Sequence, residues 1–108
     1  MTVKQLCEKS GFDAVVLADG EREVGGCYIG DLLSWVMGRA KADDAWITIM
    51  SNVNIIAVAS LADVACVILS EGVVLDADVI ETAKQKEINI LYSAKPSYET
   101  AVVVSELI

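Results

Sequence analysis

Trp46-Ile47-Thr48-Ile49-Met50-Ser51-Asn52-Val53-Asn54-Ile55-Ile56-Ala57-Val58-Ala59-Ser60-Leu61-Ala62-Asp63-Val64-Ala65-Cys66-Val67-Ile68-Leu69 is the stretch that decides the fold of this 108-residue chain. From Ala45 to Leu69 there are 25 residues and a single charge, Asp63. That length meets the roughly 20 residues a membrane helix needs. Yet Ser51, Asn52, Asn54, Ser60 and Asp63 interrupt it, and Ser51-Asn52 reads as a turn. A buried strand, a helix and a second buried strand account for the stretch better than a membrane span. Trp46–Met50 is rich in β-formers, and Ser51–Asn54 supplies capping and turn residues. Ile55–Leu61 is expected to be helical. Val64–Leu69 is a continuous apolar run, as in a strand covered on both faces.

The same alternation continues toward the C-terminus. Asp76 can cap a helix with Val79, Ile80 and Ala83 inward and Glu81, Lys84, Lys86 and Glu87 outward. Ile88–Tyr92 reads as a strand, and Pro96-Ser97 precedes a last amphipathic segment, Tyr98–Leu107. Toward the N-terminus, Thr2-x-x-Gln5 matches a capping box, and Gly11 sits where a glycine would stop the helix. Ala14–Ala18 is expected as a strand, Asp19-Gly20 as a turn, and Glu21–Val24 as a second short strand. Gly25-Gly26 should break the pattern. Ile29, Leu32, Leu33, Val36 and Met37 then follow helical spacing. Strand and helix in alternation predict an α/β fold: one domain over residues 1–108, with a mostly parallel sheet and helices on its faces.

Composition excludes several function classes. Lys plus Arg is 8, Asp plus Glu is 16, and the net charge is −8. A hydrophobic share of 55% excludes disorder. The acidity argues against a nucleic-acid partner, which would be gripped through Lys and Arg. There is no histidine, so His-based catalysis and His-ligated metals are excluded. Cys7, Cys27 and Cys66 form no CxxC pair and read as reduced thiols of a cytoplasmic protein. Met1–Leu6 turns polar at once, so no signal peptide is expected.

Few residue groups could carry chemistry. Gly25-x4-Gly30 has Walker A spacing, but Asp31-Leu32 follows where Lys and Ser or Thr are needed. The dinucleotide fingerprint fails too, because Cys27 stands where a glycine is required. The carboxylate pairs Asp43-Asp44, Asp76/Asp78 and Glu21/Glu23 read as caps and turns. A row of polar residues follows the strands: Ser51, Asn52 and Asn54; Ser70, Glu71 and Gly72; Ser93, Lys95 and Ser97. Open α/β sheets bind small ligands at the carboxyl ends of their strands, where helix N-termini favour anions. Ser51, Asn52, Asn54, Ser93 and Lys95 are therefore the candidate ligand-binding residues. No catalytic set, metal site or cofactor is expected.

Glu21-Arg22-Glu23-Val24-Gly25-Gly26-Cys27-Tyr28-Ile29-Gly30-Asp31-Leu32-Leu33-Ser34-Trp35-Val36-Met37 resembles the signature of the DRTGG domain. Trp46-Ile47-Thr48 and Asn54–Ser60 resemble later blocks of that family, so the likeness spans essentially the whole chain. The name motif is degraded: Glu21 stands for Asp, and Glu23-Val24 stands where a single Thr is expected. Asn52-Val53 stands where relatives often carry a His-Pro pair. The resemblance implies a fold similar to the N-terminal domain of HPr kinase/phosphorylase, without the kinase's separate P-loop domain. It places the motif at Arg22, Gly25, Gly26, Gly30 and Asp31. It further implies a regulatory or dimer-forming module like those beside CBS domains in regulated pyrophosphatases. Stand-alone members accompany iron hydrogenase or related redox operons, which implies a protein partner in a redox complex. Two readings result. One is a non-catalytic assembly module, a homodimer that is not an enzyme. The other is a sensor of a nucleotide or other small anionic ligand, using the strand-end row.

Overall fold

The computed structural model describes residues 1–108. Helix α1 (Val3–Ser10) is set by its ends. The Gln5 N–H donates to Thr2 Oγ1 at 3.1 Å, and the Thr2 N–H donates back to Gln5 Oε1 at 3.0 Å. Gly11 stops the helix in the left-handed region at φ 79°, where a side chain is disfavoured. The strands are β1 (Asp13–Val16), β2 (Gly26–Ile29), β3 (Asp44–Thr48), β4 (Cys66–Leu69) and β5 (Ile90–Tyr92). The other helices are α2 (Leu33–Arg39), α3 (Asn54–Ala62), α4 (Ala77–Gln85) and α5 (Ser97–Leu107).

The five strands form one sheet in the order β1-β5-β4-β3-β2. β2, β3, β4 and β5 run parallel, and β1 pairs antiparallel with β5 at one edge. Alternation along each strand sends side chains to two cores. On one face Trp46, Val67, Leu69 and Ile90 meet Val36 of α2, Ile55, Ile56 and Ala59 of α3, and Val79 and Ala83 of α4. On the other, Ala45, Ile47, Cys66, Ile68 and Leu91 meet Val3 and Leu6 of α1 and Val104 of α5. The result is the expected mostly parallel sheet between two helical layers. No helix is long and apolar enough to cross a membrane.

Two expectations in the N-terminal third are corrected. Gly25-Gly26 is not a break before a helix that begins at Ile29. Gly26 opens β2, Ile29 closes it, and α2 begins only at Leu33. Pairing with β3 in register Gly26↔Asp44 through Ile29↔Ile47 overrides the helical spacing. Leu32 and Met37, assigned to an inward stripe by that spacing, are exposed. Nor is Glu21–Val24 a strand of the sheet. Its one ladder contact is an isolated antiparallel bridge from Glu23 to Thr2. The segment serves instead as a cross-connection.

Candidate functional site

β1 and β2 are consecutive in sequence but lie at opposite edges of the sheet. Four spacings of about 4.8 Å separate them, roughly 19 Å. The segment Leu17–Gly25 therefore crosses beneath the amino ends of the parallel strands, like a strap. Its anchors lie just before β5, β4 and β3 in turn. Before β5, the Asp19 N–H donates to Asn89 Oδ1 at 2.8 Å. Asn89 Nδ2 donates to Asp19 O at 2.8 Å and to Ala65 O at 2.9 Å. Before β4 and β3, Arg22 reaches two aspartates. Its Nε and Nη2 donate to Asp43 Oδ1 at 3.1 and 2.9 Å. Nη2 also donates to Asp63 O at 2.6 Å and Asp63 Oδ1 at 2.9 Å. The Gly25 N–H finishes the crossing on Asp43 O at 2.9 Å.

Both aspartates sit in the left-handed region, Asp43 at φ 70° and Asp63 at φ 59°. Asp63 ends α3 there, where glycine is the usual choice. Asp tolerates this conformation better than most residues, and its carboxylate gives Arg22 a partner. Burial alone would lower the basicity of Arg22. The hydrogen bonds to Asp43 and Asp63 outweigh it and hold the guanidinium above its ordinary value. Helix α1 rests on the same strap: the Val3 N–H donates to Arg22 O, the Lys4 N–H to Gly20 O, and the Val24 N–H to Met1 O, each at 2.9 Å.

The remaining motif residues also have structural partners. None of Gly25, Gly26 and Gly30 has positive φ, so an unusual backbone turn is not what they provide. Gly26 and Gly30 provide space. A Cβ at Gly26 would lie 2.7 Å from Asp44 Oδ1, in a side chain whose Oδ2 already accepts the Lys41 N–H at 2.8 Å. A Cβ at Gly30 would lie 2.8 Å from the Tyr28 ring. The Gly30 carbonyl accepts the Trp46 indole N–H at 2.9 Å. Asp31 Oδ1 accepts from Thr48 Oγ1 at 2.8 Å and from the Ile49 N–H at 3.0 Å, clamping the end of β3.

The strand-end candidates lie at the opposite end of the sheet from Arg22. Thr48, Leu69 and Tyr92 are in register, so the loops after β3, β4 and β5 lie side by side. The structure thus brings Ser51, Asn52 and Asn54 to the same end as Ser93 and Lys95, with the β4 loop between. Ser51, Asn52, Asn54 and Lys95 are exposed. Asn52 Oδ1 accepts the Asn54 N–H at 2.9 Å. Ser93 is buried, and its hydroxyl meets Thr100 Oγ1 at 2.8 Å and accepts the Lys95 N–H at 3.2 Å. The Ser70 and Ser97 hydroxyls pair at 2.6 Å. Glu71 Oε2 accepts the Ser97 N–H at 2.7 Å, so a carboxylate of the chain itself already sits at the start of α5.

The cysteines are all free. Cys27 is exposed at the β2 edge, yet partial burial of its sulfur and the nearby Asp44 charge push its thiol up to about 11. Cys66 lies in the core, where burial pushes it up to about 12.

Sequence reasoning missed Asn89 and Asp63 as anchors, and named Glu71 only as a member of the strand-end polar row. A signal existed for the first two: Asn89 is a lone polar residue between Ile88 and Ile90, and Asp63 is the one charge of the apolar stretch.

These features define a class: a five-stranded α/β domain whose signature arginine, glycines and aspartate bind a sheet-spanning strap and the rim beside it. The chain belongs to the DRTGG domain family, whose model matches residues 5–107. Among solved structures it is similar to the CBS and DRTGG domains of the regulatory region of a Clostridium perfringens pyrophosphatase, complexed with the activator diadenosine tetraphosphate. The TM-score is 0.74 at 14% identity, over 95% of this chain and 45% of that one. This chain thus spans under half of that structure's length. No curated protein matches the sequence.

Proposed function

We propose that residues 1–108 form one DRTGG module that regulates and assembles, has no catalysis of its own, and works as a homodimer. One observation carries the reading. Arg22 and Asp31, the charged groups of the signature, end on the chain's own backbone and side chains. They hold architecture together and leave the outer surfaces for partners. The similarity to part of a regulatory region supports the same reading. Its family resemblance supports a redox complex as the larger assembly, and the three free thiols suit the reducing cytoplasm. Light scattering during size-exclusion chromatography tests the dimer: a mass near 23 kDa, twice 11.5 kDa, is expected. A mass that stays at one chain at high concentration refutes it.

A second reading is a sensor for a small anionic ligand. Exposed Ser51, Asn52, Asn54 and Lys95, clustered at the carboxyl ends of the strands, favour it. So does the nucleotide activator bound by the similar regulatory region. In this reading Ser93 positions Lys95 through its bond to the Lys95 N–H. A thermal-shift panel of AMP, ADP, ATP, NAD(H), acetyl phosphate and pyrophosphate tests it. A ligand at a hundred times its Kd adds about 2.7 kcal/mol of stability. Flat curves at millimolar concentrations reject the sensor.

A further inference from the structure

The strand-end polar residues do not share one cavity. Ser51, Asn52 and Lys95 line none of the chain's cavities. Ser93 lines one of about 190 Å³, below the roughly 300 Å³ at which ligand pockets begin. The start of α5, beside Lys95, already holds the Glu71 carboxylate. Asn54 differs from the rest: it lines a groove of about 380 Å³ between α3 and α4. Both helices join parallel strands, so both run from the carboxyl to the amino ends of the sheet. Ser60 lies six residues below Asn54 on α3, a rise of about 9 Å. At that lower end Ser60 shares the groove with Thr82 and Lys86 of the α4 end. Lys86 is the one charged residue of the lining, which includes no carboxylate. The chain's ion pairs use Met1 and Arg22 as their cations, so the Lys86 ammonium is unpaired. The Thr82 hydroxyl already donates to Asp78 O at 3.0 Å. Lys86 and Ser60 are therefore the free donors at this end. Between the two ends the lining is apolar, with buried Ile56 as floor and Ala57 and Leu61 beside it.

We propose that this groove binds a small organic monoanion: a carboxylate with an aliphatic or aromatic body up to about 9 Å long. The inference rests on the sensor reading above and names its site and ligand class. Lys86 and Ser60 take the carboxylate through a charge-assisted and a neutral hydrogen bond. The body lies on Ile56, Ala57 and Leu61 and reaches toward Asn54. The small side chain of Ala57 keeps the middle of the groove open. Mixed lining of this kind, apolar walls with a few convergent polar groups, is what orients a small ligand. Charge sets the class. A nucleotide or pyrophosphate brings several negative charges to a chain of −8, and one lysine leaves most of them unmatched.

The test is an NMR titration that follows backbone amide shifts, with 4-phenylbutyrate as the probe and its neutral amide, 4-phenylbutanamide, as the control. Saturable shifts are expected at Ala57, Ser60, Leu61, Thr82 and Lys86, and weaker binding of the amide. Lys86→Gln should raise the Kd about tenfold. Ala57→Phe, a substitution at an exposed position, should fill the groove and abolish binding, while Lys95→Gln should leave the Kd unchanged. The amide spectrum of each variant reports whether it is folded. Equal binding of the amide overturns the anion class. Shifts confined to Ser93–Ser97, or binding that survives Ala57→Phe, overturns the choice of groove. If 4-phenylbutyrate does not bind while a compound of the nucleotide and phosphate panel does, this inference fails and the sensor reading stands. If nothing binds, both fall together.

Discussion

Replacing Arg22 by alanine removes the midpoint of the strap, and its cost can be worked from the geometry. The guanidinium donates to two carboxylates and one carbonyl. Hydrogen bonds to charged groups are worth about 1.5–3 kcal/mol when buried. These are screened: the Arg22 side chain is 26% exposed, and Asp43 and Asp63 are 54% and 66% exposed. Exposed ion pairs contribute about 0.2–1 kcal/mol each. Taking about 0.5 kcal/mol for each carboxylate and about 1 kcal/mol for the Asp63 carbonyl gives a loss of about 2 kcal/mol. For a domain of this size that lowers Tm by about 8–10 °C. Urea unfolding, followed by the fluorescence of buried Trp46, should show a lower midpoint with an unchanged slope. Arg22→Lys should fall between the two, because a single ammonium cannot span both aspartates. A shift of Arg22→Ala below about 0.5 kcal/mol would refute the structural account of Arg22 and point to a role outside the fold.

Three further outcomes are expected. Asn89→Ala should cost about 2–3 kcal/mol in the same assay, because Asn89 is only 3% exposed and its loss leaves the buried Ala65 carbonyl without that donor. Gly30→Ala should lose about 1–3 kcal/mol by forcing the Tyr28 ring aside, while Gly25→Ala, whose Cβ would meet only ordinary contacts, should lose less than Gly30→Ala. Alkylation of Cys27 should be slow at pH 8, since a thiol at about 11 is then only about 0.1% thiolate. Its rate should rise about tenfold per pH unit up to pH 10, and a plateau near pH 9 would contradict the assigned environment.

The C-terminal two-thirds of the fold was legible because there local and global signals agree. The β-formers of Trp46–Met50 marked β3 and the continuous apolar run Val64–Leu69 marked β4; outside that part, the Thr2/Gln5 pair marked the start of α1. The N-terminal third misled because backbone pairing is invisible to periodicity. Ile29 matches a helical stripe with Leu33 and Val36, yet its place is set by Ile47 across the ladder. The strap was harder still. Arg22 was identified by family resemblance, but its partners lie 21 and 41 residues away. No local pattern reveals that Asp43, Asp63 and Asn89 stand in a line beneath three strands. Ser93 and Ser97 were legible as strand-end polar residues, but their internal pairing with Thr100 and Ser70 was not.

The strap also bears on how the domain opens. Sheets normally fray from their rims, and the rim strands exchange their amide protons first. Here the two rim strands, β1 and β2, are the two ends of one segment fastened under the middle three. Peeling either rim back releases Asn89 or Arg22 as well, and with Arg22 the seat of α1. Rim and centre are thereby joined into one cooperative unit, like a barrel held by its hoop. Arg22 of the family signature, together with Asn89, thus keeps the sheet of this chain from loosening piecemeal.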